Sequence, residues 1–174
     1  MGESVNAAKY FISNDEAATE ALGAALVTAL NIHKRQISGA VRVGLYGGLG
    51  AGKTTLVRGL LRSLGVQGAV RSPTYSLLEH YSVENWQCLH LDLYRLTEPR
   101  DVLGLGLADF DLSGYLWLIE WPERAAGVLP AADLILEMQS LANTHQVVMR
   151  AGTVLGCAWL IDLSRLVLLS EFVA

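Results

Sequence analysis

The chain has 174 residues, 52% of them apolar and 17% charged, and a formal net charge of −4 at pH 7. These values exclude a disordered chain, suit one domain with a substantial core, and argue against RNA or DNA as a tight direct ligand. The longest uncharged stretches near the ends, Ala21–Ile32 and Ala151–Ile161, are too short to span a bilayer.

The opening MGESVNAAKY has neither the basic-then-apolar order of a signal peptide nor a myristoylation pattern. A short strand is expected at Ala8–Ile12. Ser13-Asn14-Asp15-Glu16 has the form of a capping box, with Ser13 as the cap and Glu16 three residues on. The helix it opens runs to about Ile32, with Ala18, Leu22, Ala25, Leu26 and Ala29 inward. A hydrophobic strand, Val41–Tyr46, comes next.

Gly47 to Thr54 then reads GGLGAGKT: Gly47, four free positions, and Gly52-Lys53-Thr54. A helical pattern follows from Lys53 to Leu64, with Leu56, Leu60, Leu61 and Leu64 on one face. Strand, loop and helix together are the context a phosphate-binding loop requires. Glycines let successive backbone N–H groups curl around a phosphate, and the helix N-terminus adds positive potential. Lys53 is expected on the outer phosphates and the Thr54 hydroxyl on a magnesium ion.

Pro73 biases Ser72 to an extended conformation and breaks the pattern at Ser72-Pro73-Thr74. Thr74 sits where a loop that senses a terminal phosphate is found in proteins of this kind, although a turn-capping hydroxyl accounts for it equally. Tyr75–Tyr81 and Gln87–Tyr94 read as strands turning near Asn85, and Pro99–Leu107 as a short helix. Tyr115–Ile119 is a continuous apolar run, expected of a strand buried on both faces. Leu134–Met138 and Gln146–Met149 are further strands, and Val154–Val167 has a helical pattern. The alternation predicts an α/β fold: a three-layer α/β/α phosphate-loop NTPase with a mostly parallel central sheet, one domain over residues 1–174.

Two of these strands deliver an acid at the edge where ligands bind in open α/β sheets: Asp92 after Cys88-Leu89-His90-Leu91, and Glu120 after Leu116–Ile119. A phosphate-loop enzyme needs such an acid to complete the magnesium shell and orient water. Trp121 beside Glu120 is read either as a core aromatic or as a ring stacked on a ligand. His90, between two leucines, reads as a packed or hydrogen-bonded residue, and Tyr94 and Arg95 as supports for Asp92, whose alternative is to cap Leu93–Arg95 or pair with Arg95. Cys88 and Cys157 form no cluster and suit buried thiols in a reducing compartment. Residues 53–100 carry six basic and four acidic groups, residues 101–174 three and nine. The basic excess therefore accompanies the phosphate loop and suits a polyanionic nucleotide, with an RNA groove as the less favoured alternative.

GGLGAGKTT, SPTYSL, HLDLYRL and LIEWPE occur in this order. In them, and in the Ala18–Gly23 helix signature, the chain resembles the TsaE (YjeE) family of small phosphate-loop ATPases, a likeness that runs to about Glu137. The resemblance implies weak, magnesium-dependent ATP hydrolysis in the cytoplasm, in the service of threonylcarbamoyl modification of adenosine 37 in tRNAs reading ANN codons. It implies TsaD and TsaB as partners, with tRNA engaged only through their complex. Carried over, Gly47, Gly50, Ala51, Gly52, Lys53, Thr54 and Thr55 bind phosphates, Thr54, Glu120 and Asp92 serve the metal, and Lys53, Glu120 and Asp92 serve catalysis. Trp121 and Thr74 lie at the nucleotide, and Glu16 near the base.

Two departures stand out. Gly48 replaces the Asp or Asn usual after the first glycine, and Asn143-Thr144-His145 replaces a Gly-Arg pair. A small-molecule kinase is the alternative reading, its lid restricted to Arg95–Arg100. A GTPase lacks its N-K-x-D motif here, and a binding scaffold without turnover is the remaining alternative. No arginine finger is evident apart from Arg71 beside the Ser72-Pro73-Thr74 loop.

Overall fold

The computed structural model describes residues 8–142 and 144–171. The strands are β1 (Lys9–Ser13), β2 (Val41–Tyr46), β3 (Leu78–Ser82), β4 (Gln87–Asp92), β5 (Tyr115–Glu120), β6 (Leu134–Ser140) and β7 (His145–Ala151). The α-helices are α1 (Glu16–His33), α2 (Lys53–Ser63) and α3 (Val154–Glu171).

Among the described residues the strands form one sheet in the order β1-β7-β6-β2-β5-β4-β3. The central four, β6, β2, β5 and β4, are mutually parallel, and antiparallel strands close both sides. The two-residue period sorts each strand's side chains. Val41, Val43 and Leu45, with Leu116, Leu118, Leu134, Leu136 and Met138, face one core that α1, α2 and α3 cover. Leu89, Leu91, Trp117 and Ile119 face a second, smaller core. It is closed by 3₁₀ segments, Pro99–Leu105, Leu107–Phe110 and Pro122–Ala125. The expected α/β fold with a parallel sheet centre holds, but all three α-helices lie on one face, and 3₁₀ segments replace the α-layer expected on the other. Gly106, at φ +65°, splits the helix expected over Pro99–Leu107 into two 3₁₀ pieces.

Helix α1 crosses α2 at glycines. A Cβ on Gly23 would lie 2.5 Å from the Leu56 carbonyl oxygen, and one on Gly59 would lie 2.2 Å from that of Glu20. Only hydrogen fits at these points, so the backbones touch. Arg58, paired with Glu16 and Glu20, and Arg62, paired with Glu20, flank the crossing. Each such surface pair contributes at most about 1 kcal/mol. Leu22, Leu26, Leu56, Leu60 and Leu61, all buried, stabilise at roughly 1.5–3 kcal/mol each.

Two local expectations are corrected. Asp15, not Ser13, caps α1, its carboxylate accepting from Ala18 N–H at 2.7 Å. Ser13 ends β1, is buried, and its hydroxyl pairs with Thr19 at 2.6 Å. The strand expected from Tyr75 begins only at Leu78, because residues 74–77 form a turn. Leu77 takes φ +63°, its N–H donates to the Pro73 carbonyl at 2.7 Å, and its own carbonyl accepts from Asp92 N–H.

Candidate functional site

The register brings the chemistry to one edge. Asp92 on β4 pairs with Glu120 on β5, and Glu120 with Leu45 on β2, one residue before the strand ends into the glycine loop. All three strands run parallel, so their C-terminal ends meet where α2 begins. There the first amides of α2 lack intrahelical partners.

The loop's shape depends on its glycines. Gly47 has φ +139°, and a Cβ there would lie 2.2 Å from the Met138 carbonyl oxygen on β6. Gly50 and Gly52 take φ +74° and +94°, the left-handed region glycine enters freely. Gly48 keeps an ordinary φ, and a Cβ there would meet nothing within 4 Å. The departure from the family's Asp or Asn therefore answers to no steric demand.

Lys53 is buried, and its ammonium donates to the carbonyls of Gly47 at 2.6 Å and Gly48 at 2.8 Å. The Trp121 ring centroid is 3.9 Å from Nζ, a cation–π contact. Burial pushes the Lys53 ammonium below its ordinary range, and the charges of Glu120, Glu123 and Asp92 oppose that shift. Trp121 holds the left-handed conformation at φ +60°, its N–H on the Leu45 carbonyl and its carbonyl accepting from Arg124 N–H. Its ring packs on Tyr94 at 5.0 Å.

Glu120 is only 2% exposed. Its carboxylate accepts from the Thr54 hydroxyl at 2.9 and 3.1 Å and from His90 Nε2 at 2.9 Å. Asp92 is equally enclosed. Oδ2 accepts from Ser72 and, at 2.7 Å, from Thr74, while Oδ1 accepts from the Tyr94 N–H. Arg95 does not pair with Asp92; its guanidinium lies 4.0 Å from the Tyr75 ring centroid.

A cleft of about 360 Å³ is lined by residues 49–55 together with Ser72, Thr74, Asp92, Tyr94, Glu120 and Trp121. Of the residues expected at the site, all but Gly47 and Glu16 line it. Glu16 instead lines an adjoining cleft with Asn14, Asp15, Gly50, Gly52, Thr55 and His145, while its carboxylate pairs with Arg58. Arg71 is exposed and lines neither. In the departing stretch before β7, Asn143 lies outside the described residues; His145 stands beside Gly52.

Among the described residues no three His, Cys, Asp or Glu side chains converge into a metal cage. The donor set is one hydroxyl and one carboxylate, Thr54 and Glu120. That fits magnesium, which is held by one or two protein oxygens plus phosphate and water. Two further residues reach the site: Ser72, expected only as an extended residue before Pro73, and His90, expected as packed or hydrogen-bonded and found hydrogen-bonded to Glu120. Ser72 stands two residues from Thr74 across a proline, a spacing that lets both hydroxyls reach one carboxylate. His90 shares a strand face with Asp92, a relation that the period of two carries.

Three comparisons place these features among known proteins. The family model of the threonylcarbamoyl adenosine biosynthesis protein TsaE matches residues 13–148. The tRNA threonylcarbamoyladenosine biosynthesis protein TsaE of Haemophilus influenzae is 42% identical over 117 residues, 67% of this chain and 74% of the relative. The protein of the same name from Aquifex aeolicus is 36% identical over 118 residues, 64% of this chain and 77% of its own length. Among solved structures, YdiB of Bacillus subtilis superposes with a TM-score of 0.72 over 94% of this chain and 98% of its own. At 22% identity, that likeness speaks for the fold alone.

Proposed function

The chain belongs to the TsaE family, and from that premise we propose that it is the ATP-binding and ATP-hydrolysing subunit of tRNA threonylcarbamoyladenosine synthesis. It acts in the cytoplasm as one phosphate-loop domain over residues 1–174. TsaD and TsaB are its partners, it supports their turnover, and it meets tRNA only through them. The supporting observation is one cleft that gathers Lys53, Thr54, Asp92, Glu120 and Trp121 at the C-terminal edge of the parallel strands.

The chemistry is in-line attack of water on the γ-phosphorus of ATP. The bond to the β–γ bridging oxygen breaks, and ADP and phosphate leave. Backbone N–H groups of residues 50–55 cradle the phosphates. Lys53 gives up the Gly47 and Gly48 carbonyls and turns its ammonium to the outer phosphates, where it offsets charge developing in the transition state. Thr54 and Glu120 would hold a magnesium ion, which when bound would supply charge neutralisation for the outer phosphates. Asp92, fastened by Ser72 and Thr74, holds that loop at the cleft and would serve the metal together with Glu120. Trp121 flanks Lys53 and closes the cleft.

A slow intrinsic rate is expected because no arginine among the described residues lines the cleft. Such a residue typically contributes ~10³–10⁵ in rate. The TsaD–TsaB complex is accordingly expected to raise ATP turnover without any added phosphoryl acceptor. Glu120→Gln is expected to lower partner-stimulated turnover by about 10²-fold or more. Unchanged turnover in that variant, measured by phosphate release with both partners present, removes Glu120 from the catalytic assignment.

A further inference from the structure

His90 lies in β4, fully buried, on the face that β4 and β5 turn toward the main core. Its strand-face neighbour Cys88 and its cross-strand partner Leu118 are both apolar and belong to that core. An apolar residue suits these surroundings better than imidazole, whose Nδ1 is buried with no hydrogen-bond partner. Among the described residues one hydrogen bond accounts for the ring's polarity, the 2.9 Å contact of Nε2 with Glu120 Oε1. A carboxylate only accepts, so Nε2 carries the hydrogen. An orphaned buried nitrogen is kept here for the sake of a single directed bond.

That bond has a consequence for Glu120. Thr54 and His90 both donate to Oε1, at 2.9 Å each, whereas Oε2 receives only the longer 3.1 Å contact from Thr54. Once the Thr54 hydroxyl turns to a metal, His90 alone among the described side chains still holds the carboxylate. We propose that His90 is the positioning residue of the metal centre, fixing the rotation of Glu120 so that Oε2 faces the cation between it and Thr54. This assignment rests on the reading of the cleft as a magnesium–nucleotide site.

The test uses the full chain, Mn²⁺ as the metal probe and β,γ-methylene-ATP as the nucleotide. Mn²⁺ affinity is read by electron paramagnetic resonance, and nucleotide affinity is measured separately in EDTA. His90→Gln places a donor amide near the Nε2 position, whereas His90→Asn places it near Nδ1, short of Glu120. His90→Asn is expected to weaken Mn²⁺ binding about 10–100-fold, the usual cost of losing such a support. His90→Gln is expected to recover most of that loss, with nucleotide affinity in EDTA unchanged in both. His90→Leu, if it folds, is expected to lose Mn²⁺ affinity as Asn does while keeping or raising Tm. Equal Mn²⁺ affinity in wild type, Gln and Asn variants overturns the assignment alone. Loss of nucleotide affinity in EDTA parallel to loss of Tm also overturns it, in favour of a packing role. A wild-type chain that binds no Mn²⁺–nucleotide overturns the reading of the cleft together with it.

Discussion

Single residues in the phosphate loop differ sharply in what they tolerate. Gly47→Ala adds a Cβ 2.2 Å from the Met138 carbonyl oxygen at φ +139°. Its expected cost is roughly 2–5 kcal/mol of stability, read by denaturant unfolding, with loss of nucleotide binding. Gly48→Ala meets open space and an ordinary φ, so it is expected to stabilise by about 0.4–1 kcal/mol, raising Tm by about 2 °C. Lys53 carries a pH signature. Burial pushes its pKa below the ordinary 10.5, so folding disfavours the charged form relative to the unfolded chain. The free protein's stability from this group therefore rises with pH, between the depressed pKa and 10.5. ATP affinity moves the other way, falling as the ammonium loses its proton in that window. Glu120 holds the Lys53 pKa up, so Glu120→Gln is expected to shift this fall to lower pH, as titration by calorimetry would show. Lys53, Thr54, Asp92, Glu120 and Trp121 were legible because spacing and strand ends are one-dimensional signals. His90 and Ser72 were not, because their partners are 30 and 20 positions away and become neighbours only through strand register and a folded loop.

At the scale of elements, the glycine crossing of α1 and α2 places the loop. Helix α2 begins at Lys53, so any shift of its axis moves the amides that cradle phosphate. Gly59→Ala gains about 1 kcal/mol of helix propensity, but its Cβ would lie 2.2 Å from a backbone oxygen of α1, which no rotamer change relieves. Collision wins. A net loss of about 1–3 kcal/mol is expected, with weakened ATP affinity; unchanged affinity with lowered Tm would separate the crossing from the site. The helix and strand ranges were readable wherever the period was local, as in β2, α2 and β5. β3 starts later than expected because Asp92 holds Thr74, where the turn over residues 74–77 begins, and Ser72 just before it, a tertiary contact that overrides extended propensity. The cap of α1 was misplaced by two residues because Ser13 satisfies Thr19 inside the core. Gly106 was legible as punctuation, yet its division of Pro99–Leu107 into 3₁₀ pieces depends on how the smaller core closes.

For the molecule as a whole, the two cores share one sheet but differ in cover, α-helices on one side and short turns on the other. Cys88 sits fully buried in the larger core, and burial pushes its thiol up to about 12. At pH 8 the thiolate fraction is then about 1 in 10,000 before any steric protection. Alkylation of Cys88 is thus expected to track global unfolding, and saturating ATP at about 100 times Kd should slow it by about two orders of magnitude. Mass spectrometry of the labelled peptide reads this directly; fast labelling of the native chain would mean that the larger core opens locally. No helix among the described residues is long and apolar enough to cross a membrane.

The contacts of Lys53 also bear on how an anion would enter the cleft. With its ammonium on two loop carbonyls and an indole face, the cation is already stripped of most water before any phosphate arrives. Loading and unloading are then an exchange of partners. An incoming anion then competes with the loop's own oxygens for a cation already shielded from water.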